Sequence, residues 1–199
     1  MRRLQTIAAA AAIACLTGCA TAASPEDLAD RAAAAGIAPD LVSTTSIEGY
    51  DLAGQSVGVY GDDGMSAIYV AAADGDQIRL TTARGTFDEA GCEALPIEEA
   101  PDAEVACTRD GDVWHREANG RHEYVVARDG ALVRLVGTAA TEPSALAEAA
   151  EGVHVPNAAE LDALFADVPV IDPDREPVER GDLPEQGDLA PGDPPGASG

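Results

Sequence analysis

The sequence has no lysine: its 12 basic residues are all arginine and stand against 36 acidic residues, so the 199-residue chain has a formal net charge of −24. Such a chain is repelled by nucleic acid and by anionic lipid headgroups within a Debye length of roughly 8 Å. We therefore expect no nucleic-acid partner, and we expect any attachment to a membrane to rest on something other than charge.

Long apolar runs are absent too. The run from Ile7 to Leu16 reaches only about half of the roughly twenty residues that a membrane-spanning helix needs. The sequence also has no Cys-x-x-Cys pair, no glycine-rich phosphate-binding loop and no triad spacing of serine, histidine and acid. These absences argue against a spanning helix. They also indicate a protein that is not an enzyme and holds no cofactor.

What the chain does have at its start is the order of a secretory signal peptide. Met1-Arg2-Arg3 is a positive start, the apolar run follows, and Thr17 and Gly18 are small. Residues 1–18 are therefore predicted to be a leader. Losing its two arginines would change the formal charge from −24 to −26.

The residues Leu16-Thr17-Gly18-Cys19 match a lipobox at all positions, and the chain resembles bacterial lipoproteins in this segment. The resemblance implies that the Cys19 thiol receives a diacylglycerol, that cleavage precedes Cys19, and that the new amino group is often acylated. Several acyl chains hold a protein firmly, since each buried CH₂ contributes about 0.8 kcal/mol. The implied location is the outer face of the cell membrane, with residues 19–23 as a tether. Ordinary secretion, with Cys19 free or paired, is the alternative.

The composition bears on the source. The exclusive use of arginine and the abundance of alanine are typical of GC-rich genomes such as those of actinobacteria. A strongly acidic, lysine-free surface would also suit a halophile, and this alternative stays open.

The remaining cysteines are consistent with export. Cys15 would leave with the leader, so Cys92 and Cys107 form an even pair, which predicts a disulfide in an oxidising compartment. In the entropic model, closing a loop of about fifteen residues contributes roughly 3 kcal/mol. A metal site is the alternative role, but the pair has neither Cys-x-x-Cys spacing nor a nearby histidine cluster.

Residues 24–166 are predicted to form one α+β domain. Ser24-Pro25 starts a helix that reaches about Ala35. From Gln55 to Gly137, short β-runs separated by Asp-Gly and Asn-Gly turns predict an antiparallel meander of about six or seven strands. Two helices follow: one opens at Thr141-Glu142-Pro143 and reaches about Ala150, and one has its cap at Asn157 and ends near Phe165. We expect this N-terminal helix and the two C-terminal helices to cover the sheet.

Strand registers follow from turn lengths and burial. A two-residue turn at 63–64 and a three-residue loop at 73–75 predict one aliphatic core face, with Val57, Val59, Ile68, Val70, Ile78 and Leu80. Two-residue turns at 119–120 and 129–130 extend that face, with Val113, His115, Glu117, His122, Tyr124, Val126, Val133 and Leu135. The reverse face is predicted to be half-solvated, with an exposed pair worth about 0–1 kcal/mol; it carries Trp114, Arg116, Glu123, Val125 and Arg134.

The last residues differ in character from the domain. Residues 167–199 hold seven of the 13 prolines and nine acidic residues against two arginines. They lack the apolar area that would offset the entropy of ordering, which predicts a disordered acidic tail.

Two clusters are candidate sites. His115, Glu117 and His122 share one face of a predicted hairpin, where two imidazoles and a carboxylate could hold a metal ion. The alternative is packing under a helix for His115 and a solvated cross-strand pair for Glu117 and His122. Tyr60 and Tyr69, on neighbouring strands, could stack on a sugar or a peptidoglycan fragment. Equally, they could pack beneath the first helix.

The function expected from these features is that of a non-enzymatic lipoprotein that binds a protein, an envelope polymer or a small ligand. One alternative is a lipid carrier with a hollow between the sheet and the helices. A second is a metal-dependent hydrolase that uses the face with His115, Glu117 and His122. A third is a structural or regulatory role through the acidic tail.

Overall fold

The computed structural model describes residues 21–98, 100–128 and 130–168. Its helices are α1 (Pro25–Ala34), α2 (Glu89–Ala94), α3 (Pro143–Glu151) and α4 (Ala158–Phe165). Its strands are β1 (Tyr50–Leu52), β2 (Gly58–Tyr60), β3 (Gly64–Ala71), β4 (Gln77–Arg84), β5 (Ala106–Asp110), β6 (Val113–Ala118), β7 (Arg121–Arg128) and β8 (Ala131–Gly137). The predicted leader, Cys19 and the tail beyond Val168 lie outside the described residues.

The strands form one antiparallel sheet in the order β1-β3-β4-β8-β7-β6-β5. Both β1 and β2 pair with β3, at opposite ends of that strand, and a 3₁₀ turn at Gly54–Ser56 separates them. With one N-terminal and two C-terminal helices, this sheet confirms the predicted α+β fold.

Local signals set the helix starts as predicted. The Ser24 hydroxyl accepts a hydrogen bond from the Asp27 amide at the start of α1. At the start of α4 the Asn157 side chain accepts from two amides, while Glu160 accepts from the Asn157 amide, which completes a capping box. Within the described ranges, none of the helices has both the length and the apolar character needed to cross a membrane.

The main core lies between one face of the sheet and helices α1, α3 and α4. Ala32, Leu146 and Leu164 from these helices are at most 1% exposed. They belong to the same cluster as sheet residues Met65, Ala67, Tyr69, Ile78, Leu80, Val133 and Leu135. The helices therefore cover an apolar face of the sheet, as expected.

The predicted register between β2 and β3 is wrong. Val59 lies opposite Met65 rather than Ile68, because a three-residue turn at residues 61–63 joins Tyr60 to Gly64. Gly61 takes the left-handed backbone conformation there, with φ of 65°. Gly64 is needed for a different reason, since a Cβ atom at this position would collide with the carbonyl oxygen of Thr82. The sequence Asp63-Gly64 therefore resembles a two-residue turn, although Gly64 is required by close packing inside the sheet.

The predicted loop at 73–75 is one residue too short. The Ala71 amide donates to the Asp76 carbonyl at 2.7 Å, which leaves a four-residue loop and places Val70 opposite Gln77. Ile68 and Val70 therefore lie on the reverse face. Their places in the core are taken by Ala67 and Tyr69, which pair with Leu80 and Ile78.

The register of β6, β7 and β8 is as predicted, but the solvent exposure of their reverse face is not. Arg116 faces Glu123 and Trp114 faces Val125. All four are buried, and the side chains of Arg116 and Glu123 are 0% exposed. The expected exposed ion pair is thus fully buried, because residues 85–98 and 100–105 cross this face and exclude water from it.

Candidate functional site

The predicted metal-binding pair is joined by a hydrogen bond. Nε2 of His115 lies 2.9 Å from Nδ1 of His122, and the two rings are parallel within 9° with centroids 5.2 Å apart. The centroid distance is close to the N···N distance plus two ring radii, so the two nitrogens lie nearly on the line between the ring centres. In this in-plane arrangement the lone pair of one nitrogen points at the N–H of the other. Tyr124 stacks on His115 with a centroid distance of 4.7 Å. One of these two nitrogens donates to the other, so both are occupied by this hydrogen bond.

The environment of this pair disfavours the charged form of His115. Burial and the neighbouring His122 lower the pKa of His115, while Glu117 acts in the opposite sense. Glu117 is exposed on the strand position opposite His122. Among the described residues, no group of three or more His, Cys, Asp or Glu side chains is arranged to hold a metal ion. A cleft of about 350 Å³ opens beside His115 and Tyr124, toward α3.

The two candidate tyrosines are not brought together. Tyr69 is 4% exposed in the main core, where its hydroxyl lies 2.9 Å from the Thr44 hydroxyl. Tyr60 is 41% exposed and lines a pocket on the reverse face of the sheet. The register of β2 and β3 thus separates them by the thickness of the sheet, and they form no stacking platform.

Sequence reasoning missed one motif. Residues 54–58 read GQSVG, which matches the GxSxG pattern of serine hydrolases. That pattern requires a strand-to-helix turn that exposes the serine hydroxyl. Here the segment joins two edge strands, and Ser56 Oγ donates to the Ala53 carbonyl at 2.6 Å and accepts from the Ile68 amide at 2.8 Å. The Ser56 hydroxyl is therefore hydrogen-bonded to the backbone and does not lie at the strand-to-helix turn that the motif requires.

We call the described residues over the reverse face, 85–98 and 100–105, the cover. Asp88 caps α2 within it by accepting from the Gly91 amide at 2.8 Å. Cys92 of α2 forms a disulfide with Cys107 of β5, and their Cα atoms are 6.2 Å apart. Phe87 packs edge-on against Trp114, with ring centroids 5.6 Å apart. The disulfide and this aromatic contact hold the cover on the sheet.

Beneath the cover lies a buried charged triad, which we define as Arg116, Glu123 and Arg134. The Arg116 guanidinium donates to one carboxylate oxygen of Glu123, and Arg134 donates to the other at 2.7 Å. Arg116 also donates to the backbone carbonyls of Cys92, at 3.2 Å, and of Leu95. Each polar group of Arg116 thereby has a partner, which is the condition for burying a charge.

A pocket of about 150 Å³ opens at the edge of the cover, and we call it the cover pocket. Its lining is mainly apolar, and Arg134 of the triad reaches it with 35% of its side chain exposed. The lining includes Tyr60, Ala83, Phe87, Leu95, Leu132 and Arg134. The sequence feature that could have indicated this pocket is the Cys92–Cys107 pair, because a disulfide to β5 requires the intervening residues to cross the sheet.

The molecule is therefore an α+β protein whose sheet is packed by helices on one face and by a disulfide-bonded segment on the other. No known family model matches the chain, and no curated protein matches its sequence.

Proposed function

We propose that this protein is an extracytoplasmic lipoprotein, anchored through Cys19, whose domain binds a ligand or partner without catalysing a reaction. The observation that carries the proposal is the lipobox Leu16-Thr17-Gly18-Cys19 directly after an apolar leader. Acylation at Cys19 supplies the membrane affinity that a strongly acidic chain lacks.

Two features of the domain support export and anchoring. The disulfide between Cys92 and Cys107 joins the cover to the sheet, and such bonds persist in oxidising compartments. The capped start of α1 at Ser24 comes five residues after Cys19. A tether this short keeps the domain at the bilayer surface.

The alternatives receive less support from the geometry. A lipid carrier needs a hollow between the sheet and helices, but in the described residues Leu80, Leu146 and Leu164 fill that layer at 0–1% exposure. A metal hydrolase needs a third ligand beside His115 and His122, whose facing nitrogens are already bonded to each other. A role for the acidic tail depends on residues outside those described.

The anchor is tested in a bacterial host that processes lipoproteins. We expect the full chain in the membrane fraction and an N-terminal peptide that begins at Cys19 and carries the mass of diacylglycerol. Replacing Cys19→Ala should leave the chain unlipidated. The matched control is Cys15→Ala, which alters a residue of the predicted leader and should leave lipidation unchanged. A wild-type chain that retains its leader, or has an unmodified Cys19 thiol, contradicts the proposal.

A further inference from the structure

We propose that the cover pocket binds a small amphipathic anion: a carboxylate attached to an aromatic ring or a short hydrocarbon chain. This inference rests on the proposed binding role, and it gives that role a ligand class. It does not depend on the lipid anchor.

The size and lining of the pocket suit one ring. Phe87, Leu95, Leu132 and Ala83 form walls around a space of about 150 Å³. A space of about this size is large enough for a benzene-sized molecule. The pocket is open to solvent at one side, so a ligand can enter without disrupting the main core, which lies on the other face of the sheet.

The mouth of the pocket exposes hydrophobic side chains. Tyr60 is 41% exposed and Leu95 is 48% exposed, and the two residues come from segments that are distant in sequence. Two large apolar side chains kept in water at one concave site are typical of a surface that a ligand covers. An apolar ligand body would remove both from water, and the Tyr60 ring offers it an aromatic surface.

The positive charge at the cover pocket favours an anionic ligand. In the triad, the guanidiniums of Arg116 and Arg134 share the single carboxylate of Glu123, so the triad has one positive charge in excess. Burial is the largest single influence and lowers the pKa of Arg134, but the hydrogen bond and charge of Glu123, together with the electrostatic effects of Tyr60 and Glu98, outweigh it, so the pKa of Arg134 is raised. The pocket thus holds a permanently charged guanidinium in a chain with a formal charge of −24.

Only one arginine of the triad can meet the ligand. Arg116 is 0% exposed and its donors are already used by Glu123 and two cover carbonyls. Arg134 is 35% exposed and has further N–H groups beyond the one given to Glu123. A carboxylate at the mouth of the pocket can accept a charge-assisted hydrogen bond from Arg134 and neutralise the excess charge. Glu98, which is near Arg134, pairs with Arg79.

The test compares three probes of one shape with different charge: phenylacetate, 2-phenylethanol and 2-phenylethylammonium. Each is titrated into the purified, disulfide-bonded full chain and followed by NMR of methyl groups. We expect phenylacetate to bind with a dissociation constant on the order of 1 mM or lower. Signals of Leu95 and Leu132 should shift, while those of Val155, 61% exposed and not part of the pocket, should not. The alcohol should bind about tenfold more weakly and the ammonium more weakly still.

Two variants test location and charge. Leu95→Trp places a large ring at the mouth and should abolish phenylacetate binding, whereas the matched control Val155→Trp should bind as wild type. Arg134→Gln should remove the preference for phenylacetate over 2-phenylethanol. Should that variant fail to fold, the three-probe comparison on the wild-type chain still tests charge.

The outcomes that overturn the proposal are specific. Absence of phenylacetate binding, or binding that survives Leu95→Trp, overturns the site. Equal affinity for the alcohol and the carboxylate, or preference for the ammonium, overturns the ligand class. None of these results bears on Cys19, and a chain found unlipidated could still bind phenylacetate, so the anchor and the pocket fail independently.

Discussion

Glu123 is the residue on which the reverse face of the sheet depends most. Its carboxylate is 0% exposed and accepts hydrogen bonds from Arg116 and Arg134. Across the described residues, no buried side-chain nitrogen or oxygen lacks a hydrogen-bond partner. Removing the negative charge would leave the guanidiniums of Arg116 and Arg134 close together without an anion to compensate their charge. Arg116 has no access to water that could do so.

Replacing Glu123→Gln should therefore lower the free energy of unfolding by about 3 kcal/mol or more, the usual effect of breaking a buried ion pair. The matched control is Glu98→Gln, because Glu98 pairs with Arg79 at the surface with 63% of its side chain exposed. That change should cost less than about 1 kcal/mol. Urea unfolding followed by circular dichroism measures both. Equal losses in the two variants would contradict the buried triad.

His115 makes stability depend on pH in a defined sense. Its folded-state pKa is lowered from the ordinary value of 6.5, mainly by burial and then by His122. As pH falls through the unfolded-state pKa, the unfolded chain gains a proton that the folded chain resists. The free energy of unfolding therefore falls, until pH also passes the folded-state pKa.

The variant His115→Gln lacks this titration and should lose less stability than wild type between about pH 7.5 and about pH 5.5. Urea midpoints at the two pH values measure the difference, and carboxylates that titrate in both proteins cancel in the comparison. A drop of the same size in both proteins would show that His115 does not contribute.

At the level of elements, the cover depends on its disulfide. Helix α2 has six residues, and isolated helices shorter than about twelve residues are marginal in water. The cover is attached to β5 by the bond between Cys92 and Cys107, and it packs on Trp114 through Phe87. It is thus the part of the molecule whose order should respond most to reduction.

Replacing both Cys92→Ser and Cys107→Ser should lower the free energy of unfolding by about 3 kcal/mol. Trp114 is the chain's single tryptophan and is 5% exposed beneath the cover. Its emission should therefore shift to the red in the folded variant as water gains access.

The control for this effect is Asn157→Ala, which removes the capping box of α4 on the opposite face of the sheet. It should cost about 1 kcal/mol and leave the emission of Trp114 unchanged. An unshifted emission in the cysteine variant would mean that packing alone holds the cover in place.

At the scale of the whole molecule, charge dominates. The formal charge of −24 and a pI near 4.1 imply strong mutual repulsion of carboxylates at neutral pH. Some acids are neutralised locally, such as Asp40 and Asp63, which both pair with Arg84. The sequence has three acidic residues for each arginine, so carboxylates greatly outnumber the guanidiniums that could neutralise them.

Added salt should therefore stabilise the folded chain. Raising NaCl from about 0.01 M to about 1 M shortens the Debye length from roughly 30 Å to 3 Å and screens the repulsion. We expect the thermal midpoint to rise over this range, as measured by circular dichroism at neutral pH. A midpoint that falls would show that the surface ion pairs outweigh the net repulsion.

Sequence alone determined the features that depend on neighbours along the chain. Ser24 and Asn157 start helices because their side chains reach amides two or three residues ahead. The β6–β7 register followed from Asn119-Gly120, because both residues take positive φ in a two-residue turn, which leaves no freedom in the pairing. The pair Cys92 and Cys107 was similarly evident from counting.

Tertiary structure decided what lies on each side of the sheet. The loop after β3 has four residues because Asp76 also accepts hydrogen bonds from Tyr50 and Thr141, which are distant in sequence. That one-residue difference moves Tyr69 into the core, while the register of β2 and β3 separates it from Tyr60. The cover has no periodic apolar pattern from which its position could be predicted. The burial of Arg116 and Glu123 therefore follows only from where the tertiary structure places the cover. The two-residue Asn119-Gly120 turn is set by the local backbone conformation, whereas the length of the loop after β3 and the exclusion of water from the reverse face depend on segments that are distant in sequence.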